Sequence, residues 1–144
     1  MKQLFALTVF LILFLAITDN LMAQEARGNV LVITTLERAF PENGTAGELD
    51  SLSQIAMDHA FKHNPYVVSY KIARHWWGHN SRDYVRIIEV KSWDDVEKAF
   101  EEVSNQIMKA TPDKAERDAF QKAYGKYFTG KHSDEIYQEV VSGR

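Results

Sequence analysis

The chain has 144 residues, no cysteine and a formal net charge of -3. Without cysteine, disulfides, thiolate nucleophiles, iron-sulfur clusters and cysteine-based zinc sites are all excluded, and stability must come from packing. The mildly acidic balance argues against nucleic acid as a partner, because binding a phosphate backbone is driven by clustered Lys and Arg that displace counterions.

At the N-terminus, Lys2 precedes an apolar run from Leu4 to Ile17, which is followed by Thr18-Asp19-Asn20 and Leu21-Met22-Ala23-Gln24. This is the layout of a secretory signal peptide. The run is shorter than the ~20 apolar residues a membrane-crossing helix needs. Residues 1–23 are therefore expected to be a signal peptide cleaved after Ala23, with Ala26 as the alternative site and retention as a weak membrane anchor as the alternative fate. No cysteine follows the run, so a lipidated anchor of the bacterial lipoprotein kind is not available. Residues 24–144 are expected to form one domain with one core. It would be exported to the periplasm or the exterior, with no stable membrane insertion after cleavage.

The first β-branched run, Asn29 to Glu37, predicts a strand, and Pro41-Glu42-Asn43-Gly44 a turn. From Glu48, the residues Leu49, Leu52, Ala56, His59, Ala60 and His63 recur at helical spacing until Asn64-Pro65 stops the helix. YVVSYKIARHWW and RDYVRIIEV, separated by Gly78-His79-Asn80-Ser81, predict an antiparallel hairpin. Ser92 is expected to cap a helix whose apolar face runs through Trp93, Val96, Ala99, Phe100, Val103 and Ile107. Another helix is expected to open at Thr111-Pro112-Asp113, with threonine as cap and proline at the first helical position, and to end at Gly130. Its apolar face would carry Ala119, Phe120, Ala123, Tyr124, Tyr127 and Phe128. Glu135 to Val141 completes the series as a last strand.

The order strand, helix, strand, strand, helix, helix, strand is that of a ferredoxin-like βαββαβ unit with an extra helix before the last strand. It predicts an α+β fold with a four-stranded antiparallel sheet and helices on one face. Alternation in the second strand turns Val68, Tyr70 and Ile72 toward the helices, and Val67, Ser69, Lys71, Ala73, His75 and Trp77 toward the open face. That open face, together with apolar residues on both sides of the first strand, exposes more oily surface than suits a monomer. A homodimer with open faces turned toward each other is the expectation.

The strand order, the length after cleavage, the aromatic hairpin and Ser92-Trp93-Asp94-Asp95 entering a helix resemble the dimeric α/β-barrel proteins, near the antibiotic-biosynthesis monooxygenase, EthD and NIPSNAP-like families. The resemblance covers roughly Asn29 to Val141 and rests on topology; no diagnostic catalytic motif is matched. It implies a shared barrel and a cavity for a small apolar or aromatic ligand. It also implies a choice between a non-catalytic binding protein and a cofactor-independent monooxygenase or isomerase, with haem binding as a weaker variant.

Two segments supply candidate residues. In HWWGHNSRD, His75 could move protons near neutral pH and Trp76 and Trp77 could stack on a planar ligand. Lys71 on the same face, and Tyr84 and Arg86 across the hairpin, are the candidate partners. The simpler reading packs both tryptophans at the sheet end or against a partner subunit and leaves His79 as a solvated turn residue. In KYFTGKHSDEIYQEV, His132 and Asp134 either pair, with the carboxylate holding one imidazole tautomer, or merely shape a helix-terminating turn. The expected catalytic set is thus His75, His132 and Tyr84, and the ligand-binding set is Trp76, Trp77, Lys71, Arg86 and His79. Among ligand-type residues, His75, His79, His132 and Asp134 match no metal-site spacing, and His59 and His63 share a helical face without a third ligand. No metal and no cofactor are expected. The reading is an exported homodimer that binds a small apolar or aromatic molecule.

Overall fold

The computed structural model describes residues 27–140. The signal peptide expected at residues 1–23 lies outside them. One compact unit, Asn29–Glu139, carries everything that follows; the other, made of Met1–Gly28 and Val140–Arg144, lies almost wholly outside the described residues. The elements run β1 (Arg27–Arg38), α1 (Ala46–Phe61), β2 (Val67–Arg74), β3 (Asp83–Val90), α2 (Trp93–Ala110), α3 (Lys114–Gly125) and β4 (Phe128–Val140). The sheet order is β2-β3-β1-β4. This interleaves two strand-helix-strand halves and is the ferredoxin-like arrangement.

β1 and β3 are the central pair, and their antiparallel register sets Val32 against Ile88 and Ile33 against Ile87. Side chains alternate, so Val30, Val32, Ile88 and Val90 form the inner row and are buried with Met57, Ala60 and Phe61 of α1 and Ala99 of α2. Each such aliphatic side chain contributes on the order of 1.5–3 kcal/mol by leaving water. The odd-numbered row, Leu31, Ile33, Val85 and Ile87, points to the other face, belongs to neither core cluster and is only half-buried. The edge contacts Glu37–Lys131, Thr34–Asp134 and Asn29–Glu139 run in opposite order along β1 and β4, which makes that pair antiparallel as well.

Several boundaries differ from expectation for local reasons. A register shift between Val67 and Ser69 pulls Val67 onto the core and leaves Val68 exposed, the reverse of simple alternation. Thr45 caps α1, accepting the Glu48 N–H at 3.0 Å. The buried stripe of α1 is Leu49, Ser53, Met57, Ala60 and Phe61, one residue round the helix from the predicted one. Ser92 makes no side-chain cap bond; its hydroxyl donates to Asp95 at 2.9 Å. Thr111 ends α2, while Asp113 caps α3 by accepting the Ala115 N–H at 2.7 Å, so Pro112 sits before the helix rather than in it. Gly130 lies inside β4 at φ +87°, and that strand starts at Phe128, so His132-Ser133-Asp134 is strand and not loop.

A second cluster, Leu49, Tyr84 and Tyr127, closes the other end of the core. Tyr127 ties three segments together: its hydroxyl donates to Glu48 Oε2 at 2.7 Å and accepts the Thr45 N–H at 2.9 Å. Lys126 Nζ adds a contact to Glu48 Oε1 at 2.9 Å and to the Asn43 carbonyl at 3.2 Å. The chain passes so close that a Cβ on Gly44 would fall 2.7 Å from both Pro41 and the Tyr127 hydroxyl, so only glycine fits. The Tyr127 hydrogen bond, then Lys126, hold the Glu48 carboxyl below its ordinary range. A depressed carboxylate contributes stability above its unfolded pKa and loses it as pH falls through the folded one. Thermal melts should therefore show Tyr127→Phe less stable than wild type at pH 7, with the gap narrowing below about pH 4; the Thr45 bond leaves a residual difference at all pH.

Candidate functional site

A cavity of about 840 Å³ lies between α1, α2 and α3, with Arg86 of β3 as its floor. Met57 and Phe61 come from α1, Phe100 and Ile107 from α2, and Phe120 and Tyr124 from α3. The helical periods explain this gathering: each helix points one apolar edge at the sheet and a neighbouring edge at the gap between helices. The aromatic rings form a ladder across the roof. His59 lies 6.4 Å from Phe120, Phe120 5.9 Å from Tyr124, Tyr124 5.0 Å from Phe128 and Phe128 5.6 Å from Tyr84. α3 buries no residue fully. It is held at its start by Arg117, which donates to the Thr111 and Pro112 carbonyls at 2.7 Å each, and at its end by the Lys126–Tyr127–Glu48 contacts.

Arg86 is the unusual member of this lining. It stands in the inner row of a central strand, between Tyr84 and Ile88. Its Nε is buried with no hydrogen-bond partner, and none of the ion pairs formed among the described residues includes it. The Tyr124 hydroxyl is likewise buried and unpaired. Unsatisfied buried donors of this kind are costly, typically ~1–3 kcal/mol each, and a ligand oxygen is the natural complement.

A smaller chamber of about 250 Å³ shares Phe61, Arg86 and Phe100 with the large cavity and is otherwise lined by Thr34, Leu36, Ile88, His132 and Asp134. Of the two readings of the last segment, the turn is replaced by strand, and His132 Nε2 lies 3.2 Å from Asp134 Oδ2. Asp134 Oδ1 accepts from the Thr34 hydroxyl at 2.7 Å. A third cleft, of about 620 Å³, opens on the outer side of α1 beside Lys62, His63 and Lys109, all exposed, and has no aromatic wall.

The expected site residues are dispersed. β2 ends at Arg74, so Trp76 and Trp77 leave the strand and project from the hairpin, 91% and 92% exposed. His79 is exposed at the same tip, and the His75 ring lies beside Gly78 with its Nε2 buried and unpaired. Lys71 lies opposite Ile87 on the open face. Tyr84 and Arg86 belong to the helix face, so they do not share a site with His75 or Lys71. Tyr84, 1% exposed, packs in the second cluster, and burial pushes its phenol pKa up against a weaker opposing effect of the Ser53 hydroxyl. Of the expected residues, only Arg86 and His132 come together. Phe100, Phe120 and Tyr124 were legible as helix-face residues but not as a cavity wall, and Phe61 was not singled out at all. The overlooked signal was a charged residue among the apolar inner positions of β3.

Among the described residues no group of three or more His, Asp or Glu is placed to hold a metal ion. No helix is long and apolar enough to cross a membrane among those residues.

No family model matches the chain, and no curated protein matches it. Solved structures do. A "putative antibiotic biosynthesis monooxygenase" from Caulobacter crescentus aligns with a TM-score of 0.52 at 16% identity, covering 80% of this chain and 92% of that one. A protein of the same description from Bordetella bronchiseptica aligns at 0.50 with 12% identity, covering 79% and 99%. A conserved protein from Methanosarcina mazei aligns at 0.50 with 12% identity, covering 76% and 90%. At these identities the likeness is one of fold: this chain is a ferredoxin-like α+β protein of the architecture seen in antibiotic biosynthesis monooxygenase-like structures.

Because burial outweighs the opposing effect of the Ser53 hydroxyl at the Tyr84 phenol, Tyr84→Phe should change stability by no more than ~1 kcal/mol. Denaturant unfolding of the two proteins reads this directly.

Proposed function

We propose that the protein is a homodimer that binds a small, largely apolar aromatic molecule bearing an oxygen substituent, in the cavity between α1, α2 and α3. The observation that carries the reading is the buried, unpaired Nε of Arg86 in the lining of a cavity that gathers Phe61, Phe100, Ile107 and Phe120 together with the polar Glu116, Arg117, Asp118 and Gln121. Walls of Phe61, Phe100 and Phe120 favour a planar ring through area burial and edge or face contacts. The guanidinium donates to the ligand oxygen and fixes its orientation. Using 2-naphthol as probe, fluorescence titration is expected to show saturable binding, and Arg86→Met, which keeps the length and apolar stem, should weaken it about tenfold or more. Equal affinity for the two proteins would remove Arg86 from the site.

The dimer is supported by the open face. Its rows are Ala73–Val85–Thr35 and Lys71–Ile87–Ile33, followed by Ser69–Glu89–Leu31. The centre is aliphatic. The last row is polar, with Glu89 accepting from both Ser69 and Asn29, which hold its carboxyl below the ordinary range. Two copies meeting across this face bury the aliphatic centre inside a polar rim. Light scattering of the purified protein should give twice the chain mass, and Ile87→Lys, which sets a charge at the centre of the contact, should give the monomer.

A further inference from the structure

The hairpin between β2 and β3 ends in an apolar feature that the helix-side cavity does not use. Trp76 and Trp77 are 91% and 92% exposed, so neither ring covers the other or rests on the sheet, and Phe40, just past β1, is 62% exposed. The three belong to one end of the sheet. There the His75 N–H donates to the Asp83 carbonyl at 3.1 Å, the Arg38 N–H donates to the Arg82 carbonyl at 2.9 Å, and the Arg82 guanidinium lies 5.6 Å from the Phe40 ring centre. The tip is a formed turn: Gly78 at φ +135° makes a bend that side chains disfavour, and Asn80 donates to the Asp83 carboxylate while accepting the Arg82 N–H at 3.3 Å. Large rings held outward into water on such a turn mark a contact surface.

Size and surroundings decide the occupant. Two tryptophans and a phenylalanine at these exposures offer roughly 500 Å² of ring surface, against about 800 Å² on each side of a stable protein–protein interface. The flank is polar, with His79, Asn80 and Ser81 all exposed. Charge there is balanced: Arg82 and Lys131 share Glu37 at 3.7 and 3.3 Å, while Arg38, 4.9 Å from the Phe40 ring centre, joins none of the ion pairs among the described residues. Asp83 and Glu42 complete three carboxylates to these three cations, and Arg74 is closed on Asp50 at 2.9 Å. A layer of zwitterionic lipid headgroups answers all of this. It is fluid and needs no matching shape, it sets phosphate against guanidinium and ammonium against carboxylate, and its interfacial zone favours the tryptophan ring, which is apolar with one N–H. We propose that this tip docks the protein on a zwitterionic lipid surface, with Trp76 and Trp77 at headgroup depth, Phe40 beside them and Arg38 and Arg82 against lipid phosphates. The contact is peripheral, one hairpin deep, and separate from the helix-side cavity and the smaller chamber, which none of these residues lines.

The apolar run Leu4 to Ile17 can hold the full chain on vesicles by itself, so the test reads the depth of the rings instead of attachment. In Trp93→Phe, whose remaining tryptophans are Trp76 and Trp77, phosphatidylcholine vesicles with acyl chains brominated next to the headgroup should quench the emission by about half or more and move it to shorter wavelength. Trp76→Ser/Trp77→Ser, which keeps Trp93 at the opposite end of β3, should show neither change on the same vesicles. Tip rings left unquenched, whether or not the protein pellets with the vesicles, overturn the proposal, and so does quenching of Trp93 to the same extent. Tip rings already shielded from acrylamide without lipid assign the tip to a second copy of the chain; emission that responds to soluble cellohexaose but not to vesicles assigns it to a sugar. Either result also overturns the lipid contact.

Discussion

Parity along β1 and β3 governs the rest of the molecule. Because successive side chains in a strand point to opposite faces, the even-numbered residues of both central strands line the helix side and the odd-numbered ones line the open side. The core is built on Val30, Val32, Ile88 and Val90. Arg86 shares their parity, and this places a guanidinium on the inner side of a central strand, where charge is expensive without compensation. The cavity is the compensation: α1, α2 and α3 stand apart there instead of closing over the sheet. Arg86 is therefore the point at which the inner row departs from what packing alone asks for.

Much of the architecture was legible in the sequence because its signals are local. β-branched runs marked β1, β2 and β3, the Asn64-Pro65 stop ended α1 within a few residues, and the order of elements sufficed for a ferredoxin-like topology. The errors have physical causes. A bulge is invisible to alternation, so Val67 and Val68 exchanged faces. β4 is an edge strand with almost no burial, and with Gly130 in it neither period nor composition distinguished its first half from a turn.

The candidate site was read less well, for the same reason. Proximity along the chain suggested a hairpin site around His75, Trp76 and Trp77, whereas the residues that gather at Arg86 come from three helices and two further strands. Tyr84 and Arg86 lie only a few residues from the hairpin tip, but their side chains leave the sheet on the opposite side from Lys71. The His132–Asp134 pair was one of two readings of its segment, the other being a helix-terminating turn; the structure instead puts both residues in β4, which adjoins β1.

The construction of α3 has a consequence for where the domain opens first. Stapled at both ends by polar contacts, the helix commits none of its side chains to full burial in between. Lifting its midsection would break the half-buried ring contacts of Phe120 and Tyr124 but leave the inner row of the sheet covered by α1 and α2, so the free-energy cost of a transient opening is below that of unfolding the domain. Local opening of the domain would start at this roof, with the pairing of the sheet beneath left intact.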